Sequence, residues 1–227
     1  HMIVSDPDSP TGLAVIILEP NGQNRIMVYA GANMRIDPSD LEPVFEHTYD
    51  AVMMNFEVPD IILTEVCRQA HKRDIPIIVD AGPARAVDLK TLGTLEILSP
   101  NETESEALTG IPCDTDANIK AAALALKNAS DARHIVTKLG KRGALCLTND
   151  EFTHFETYEV EVVDTTAAGD AFTAGMSLRY LETGDIKQAI RFGNAAGSLA
   201  VTKLGAQPSL PNRIDTDNFL AHQSDAI

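Results

Sequence analysis

The sequence predicts an α/β protein with three layers: a doubly wound, mainly parallel sheet carrying helices on both faces. Three observations lead there. From about residue 50 onward, short apolar runs alternate with stretches of helical period. The runs at Ile75–Val79 and Leu95–Leu98 are rich in aliphatic residues, as strands covered on both faces must be. Strands and helices in alternation imply crossover connections, which place helices on both faces and ligands at the strands' carboxyl ends.

The elements follow in order. Leu13–Leu18 and Arg25–Ala30 read as two strands of a hairpin, with turn chemistry at Pro20-Asn21-Gly22. Asp37–His47 is expected as a short helix with Pro38 near its start. Ala51–Phe56 is a buried strand candidate, and Ile61–Arg73 an amphipathic helix with Ile62, Val66 and Ala70 on one stripe. After the two aliphatic strands, Glu102–Leu108 should be a helix stopped by Gly110 and Pro112. Asn118–Asn128 is helical and His134–Leu139 a strand; Ala144–Leu147 and Phe152–Phe155 flank an Asn149-Asp150 turn. Two helices, Ala171–Leu181 and Ile186–Leu204, close the core.

Composition excludes several classes. The chain has 33 acidic and 18 basic residues, a formal net charge of -15, and no dense Lys/Arg cluster. A surface for nucleic acid or anionic membrane is therefore not expected. Cys67, Cys113 and Cys146 lack the paired spacing of zinc or redox sites and read as reduced thiols, which suits the cytoplasm. No apolar run is long enough to span a bilayer.

The chemistry concentrates in Val162-Val163-Asp164-Thr165-Thr166-Ala167-Ala168-Gly169-Asp170, where an apolar strand end is expected to run through small residues into a helix. Small side chains let backbone N–H groups approach an anion, and a helix N-terminus presents such groups with partial positive charge. In comparable anion holes one such donor is worth roughly 3–4 kcal/mol of transition-state stabilisation. Asp170, in the first helical turn, can accept the proton of an attacking hydroxyl. The helix end favours its anionic form. That suits phosphoryl transfer, whose loose transition state rewards positioning over early deprotonation. The bland alternative is a turn started by Asp164 and a helix-dipole contact from Asp170.

Four further stretches have equally bland readings. Asn101 and Glu104 have the spacing of a capping box. Thr137-Lys138-Leu139-Gly140-Lys141-Arg142-Gly143 reads as a glycine-punctuated turn between strands, and the small residues around Asn194 as a helix-packing face. Gly205-Ala206-Gln207-Pro208-Ser209 reads as a helix cap and turn. Walker and Rossmann glycine fingerprints are absent from the sequence.

Asp164-Thr165-Thr166-Ala167-Ala168-Gly169-Asp170 resembles the signature loop of the ribokinase-like, or PfkB, carbohydrate kinases, most of which have Gly at the position of Ala167. The Ala-Ala-Gly-Asp form leans towards the ribokinase branch. The resemblance runs from about Thr11 to Leu220 and includes Ser99-Pro100-Asn101-Glu102-Thr103-Glu104. It implies transfer of the ATP γ-phosphoryl group to D-ribose. Asp170 would be the base, also touching substrate, and the N–H groups of Ala167, Ala168 and Gly169 the anion hole.

By the same resemblance Asn101, Lys138, Gly140, Arg142, Gly143, Gly169 and Asn194 would contact the nucleotide, with Lys138 standing where many relatives carry Thr. Glu104 would hold Mg²⁺ through water. Potassium would be ringed by carbonyls of Thr166, Ala200, Lys203 and Gly205 and side chains of Asp164 and Ser209. Glu57 would contact the sugar; Arg85 has no assigned role.

Residues 1–34 are expected to form a residual lid hairpin and 35–227 the nucleotide-binding core, with the family's N-terminal substrate-binding part absent. Partners would be sugar, ATP and a second copy docked through the lid. Other PfkB acceptors (fructose, a nucleoside such as adenosine, a phosphosugar) and an inactive nucleotide-binding fragment remain alternatives.

Overall fold

The computed structural model describes residues 5–18 and 24–224. The hairpin turn expected at residues 20–22 lies outside them. Strands β1 (Leu13–Leu18) and β2 (Asn24–Tyr29) pair antiparallel, from Leu13 opposite Tyr29 to Leu18 opposite Asn24. Their apolar side chains are open to solvent on both faces: Val15, Ile16 and Ile17 are 44–46% exposed, and Met27 and Val28 above 50%.

A six-stranded mixed sheet follows, in the order β3-β4-β5-β6-β7-β8. Its strands are β3 (Val52–Met54), β4 (Ile77–Asp80), β5 (Thr94–Ser99), β6 (Asp131–Lys138), β7 (Ala144–Thr148) and β8 (Glu151–Phe155). β3 to β6 pair in parallel, and β7 with β8 antiparallel. The chain divides into two compact units, one ending at Ile135 and one starting at Val136, with the boundary inside β6.

In the first unit, β4 and β5 supply the core: Ile77, Ile78, Val79, Leu95, Ile97 and Leu98 are at most 1% exposed. Helix α1 (Asp60–His71) follows β3, α2 (Glu102–Thr109) follows β5, and α3 (Asp116–Ala129) precedes β6. α1 buries Ile62, Leu63, Cys67 and Ala70, so its inner stripe is turned towards Leu63 and Cys67 and away from the expected Val66. Asp60 in its first turn and Arg68 and His71 in its last complement the helix dipole. α3 is opened by the Thr115 hydroxyl, which accepts from Asn118 N–H at 3.2 Å.

The helix expected over Asp37–His47 is two separate 3-10 turns, Pro38–Leu41 and Val44–Glu46. Pro43 lacks an N–H and crowds the preceding turn, so no α-helix crosses it. The first turn is held by Asp37 and Asp40, each carboxylate accepting from the other end's backbone N–H at 2.9 Å. β3 is shorter than expected and half exposed, because it is the sheet's terminal strand.

In the second unit, Asn149 and Asp150 both have positive φ (49° and 65°), the geometry a two-residue hairpin needs between Thr148 and Glu151. Helices α4 (Ala168–Thr183) and α5 (Ile186–Ala200) approach closely: a Cβ on Gly193 would lie 2.8 Å from the Phe172 carbonyl oxygen. α5 stops at Ala200, short of the expected Leu204, because the next carbonyl, of Val201, accepts the N–H groups of Val163 (2.8 Å) and Asp164 (3.2 Å). The strand end expected at Val162-Val163 is irregular, with both side chains more than half exposed.

The sequence reading omitted α6 (Arg213–Ser224), whose apolar periodicity is weak. Long-range contacts hold it: Asp217 accepts from Arg179 at 2.6 Å, the Arg179 and Arg213 guanidiniums both lie over the Phe192 ring, and Phe219 meets Tyr158 edge to face; within the helix Asp217 also accepts from Arg213 at 2.5 Å.

Gly143 sits where only glycine fits, with φ 81° and ψ -126° and a would-be Cβ 2.0 Å from the Phe155 carbonyl oxygen. Gly143→Ala is expected to cost about 3 kcal/mol or more. Urea denaturation at fixed m-value measures it.

Candidate active site

Each unit carries one group of predicted residues. In the first unit, Asn101 caps α2 and forms the expected capping box: Glu104 N–H donates to Asn101 Oδ1 at 2.8 Å, and Asn101 N–H to Glu104 Oε2 at 2.6 Å. Asn101 Nδ2 also donates to Glu104 Oε1 at 2.8 Å. These bonds let Glu104 be only 7% exposed while holding one orientation. A Cβ on Gly82 would lie 3.0 Å from Glu104 Oε1 and 3.9 Å from Asp80 Oδ1. Glycine there keeps the carboxylate edge clear, and such a cleared, oxygen-lined edge fits a hydrated divalent cation.

Glu57 is exposed, three residues beyond the end of β3. Its N–H donates to Asn55 Oδ1 at 3.1 Å, and the preceding Phe56 N–H to the Gly82 carbonyl at 2.7 Å.

In the second unit, the Asp164–Asp170 loop leads into α4 as expected, by a different route. Asp164 Oδ1 accepts from Thr166 N–H and Oδ2 from Gly205 N–H, both at 2.9 Å. These two bonds hold the Asp164 carboxyl below the ordinary carboxylate range. The loop is therefore tied to the end of α5 by hydrogen bonds in place of a strand ladder. Ala167, the residue before α4, has φ 60° and ψ 9°, a left-handed conformation that costs a non-glycine residue about 1–2 kcal/mol. Ala171 N–H donates to its carbonyl at 2.9 Å. Ala168 N–H is turned to the Thr165 carbonyl at 3.3 Å. Among the described residues, no backbone acceptor takes the N–H of Ala167, Gly169 or Asp170, so these are the donors left for an anion at the helix start, while the expected Ala168 donor is taken.

A cleft of about 950 Å³ opens beside this helix end, lined in part by Ala168, Gly169, Lys138, Gly140, Gly143 and Asn194. The structure thus gathers most of the second unit's expected nucleotide residues. Lys138 Nζ is 3.9 Å from the position of a Cβ on Gly169. Arg142 does not line the cleft; its carbonyl accepts from His154 Nε2 at 2.7 Å, pinning the Gly140–Arg142 turn to β8. Asn194 is 4% exposed, and its Nδ2 donates to the Glu156 carbonyl at 3.0 Å, so it also anchors the cleft wall.

The wall itself, Thr157 to Val162, was missed. It has no periodicity or motif, and tertiary contacts place it: the Asn194 bond to Glu156 just before it, the Thr157–Ser198 hydroxyl contact (3.0 Å) and the Tyr158 ring against Phe219.

The residues expected around potassium lie on two segments that Asp164 joins. Ser209 is fully buried and its hydroxyl donates to the Ala206 carbonyl at 2.7 Å, leaving its lone pairs available. The Ala200 carbonyl accepts from Lys203 N–H at 3.3 Å. The donor set is all oxygen with a single carboxylate, which suits a singly charged hard cation.

Comparison with known proteins bears on this geometry. A model of the pfkB family of carbohydrate kinases matches residues 1–213. The chain belongs to that family. It is 36% identical over 214 residues to a ribokinase from Arabidopsis thaliana, covering 91% of this chain and 56% of that protein. It is 34% identical to a ribokinase from Staphylococcus aureus, covering 92% and 69%. The structure of Arabidopsis thaliana ribokinase complexed with ribose and ATP superimposes with a TM-score of 0.82 at 34% identity, over 94% of this chain and 70% of that one. The chain therefore spans between about half and two thirds of the curated relatives' length.

Because Asp164 is anionic in its native bonds, its contribution to stability is complete above the unfolded carboxylate range and lost as pH falls through the lower native value. Asp164→Ala is expected to melt below wild type at pH 7, with the gap closing as pH drops under the carboxylate range. Thermal melts by circular dichroism between pH 7 and pH 2 read it.

Proposed function

We propose that this chain transfers the γ-phosphoryl group of ATP to D-ribose, giving ribose 5-phosphate and ADP. The observation that carries the reading is the α4 start. There, Gly169 and Asp170 N–H groups, a nearby ammonium and a carboxylate stand beside a cleft of nucleotide size.

In this reading the acceptor hydroxyl oxygen attacks the γ-phosphorus, the bond to the β,γ-bridging oxygen breaks, and ADP leaves with its electron pair. The hydroxyl proton passes to Asp170, which is exposed at the helix start. First-turn N–H groups and the Lys138 ammonium meet the charge on the equatorial oxygens. Asn101 and Glu104 would orient the phosphates and hydrated Mg²⁺, and Glu57 the sugar. Potassium, held by Thr166, Ala200, Lys203 and Gly205 carbonyls with Asp164 and Ser209, would supply charge neutralisation beside the loop. The exposed apolar hairpin supports a lid docking onto a second copy. Three buried free thiols, with no described helix long and apolar enough to cross a membrane, support a cytoplasmic setting.

A second reading, nucleotide binding without sugar turnover, is favoured by the cleft's lining, which comes wholly from residues after Val136. Calorimetry with ATP and a coupled ADP-release assay with D-ribose separate the two. Wild type is expected to bind ATP and to turn over ribose. Asp170→Asn should lower kcat by about 10²- to 10⁴-fold while ATP affinity stays within about twofold. Equal, negligible rates in both proteins would select the binding-only reading.

A further inference from the structure

Arg85 makes more directed contacts than any role assigned to it requires. Its Nε donates to the Phe56 carbonyl at 2.8 Å and its Nη2 to the Val58 carbonyl at 3.2 Å. Nη1 donates to Asp60 Oδ1 at 2.6 Å and, more weakly, to the Ala86 carbonyl at 3.4 Å. The guanidinium also lies 5.5 Å from the centre of the Phe56 ring, which is 2% exposed.

The two short carbonyl contacts fall on the residues immediately before and after Glu57. The peptide before Glu57 is thus bound at both its Phe56 carbonyl and its Glu57 N–H, and the segment is held again on either side at Phe56 N–H, on the Gly82 carbonyl, and at the Val58 carbonyl. The side chain so mounted is itself exposed. These contacts hold the buried Phe56 ring, and the rigid backbone they make under an exposed carboxylate also gives that carboxylate a defined direction, as a recognition group needs. The Arg85–Asp60 ion pair does not account for the arrangement, because Asp60 is 64% exposed and such pairs contribute little.

We propose that Arg85 is a positioning residue for sugar recognition, fixing the Phe56–Val58 segment so that Glu57 meets the acceptor's hydroxyls. The proposal rests on the reading of Glu57 as a sugar contact. A planar fork reaches the two carbonyls from separate nitrogens in a fixed geometry, whereas lysine's donors share one nitrogen on a flexible stem.

The test is a double-mutant cycle on the full chain, reading KM for D-ribose, KM for ATP, kcat and melting temperature. Arg85→Ala and Glu57→Gln are each expected to raise the ribose KM on the order of 10- to 100-fold, with the ATP KM within about twofold. The double variant should be no worse than Glu57→Gln alone, because Arg85 acts through Glu57. Asp60→Asn should change the ribose KM less than about twofold. Additive effects, or an equal rise in the ATP KM, overturn the proposal and leave the Glu57 reading standing. Should Arg85→Ala fail to fold, Arg85→Lys replaces it: a raised ribose KM supports the proposal and a wild-type value overturns it. A wild-type chain without ribose turnover, or an unchanged ribose KM in Glu57→Gln, overturns the Glu57 reading and the proposal with it.

Discussion

The Asp164 carboxylate joins two pieces of chain that no strand ladder connects among the described residues. One oxygen takes Thr166 N–H and the other Gly205 N–H, so the start of the loop is locked against the turn after α5. Val201 adds its carbonyl to Val163 and Asp164 N–H. Everything downstream depends on this lock. It sets where the loop enters α4, and hence where the free first-turn N–H groups and Asp170 stand. A carboxylate is suited to the task because two charge-assisted bonds hold better than neutral ones.

The strain at Ala167 follows from the same constraint. The chain must turn sharply between a loop pinned at Thr166 and a helix starting at Ala168, and a left-handed residue makes that corner. Alanine pays in conformational energy where glycine would pay in unfolded-state entropy. The cleft wall opposite is secured differently, by the buried Asn194 amide on the Glu156 carbonyl. Small residues on α5 serve both ends, since they admit α4 closely at Gly193 and line the cleft at Gly197.

Much of the site was legible because its chemistry is local. Asn101 and Glu104 form the capping box their spacing implies, and Gly169-Asp170 open a helix as their composition implies. Such features need only a turn of backbone to be realised, so a short window contains them. The strand end read at Val162-Val163 failed for the opposite reason. Val163 and the following Asp164 satisfy their N–H groups on the Val201 carbonyl, a partner nearly forty positions away that no local pattern announces.

By itself, then, the sequence determined the alternation of strands and helices, the buried identity of β4 and β5, and the small-residue loop that opens α4. Periodicity and composition encode those directly. Tertiary structure alone decided that α6 exists on the strength of Arg179, Arg213 and Asp217, and that Thr157–Val162 is a cleft wall. It also decided which groups Arg85 bonds. Its acceptors are backbone carbonyls up to 29 residues away, and a carbonyl carries no side-chain identity for a sequence to display.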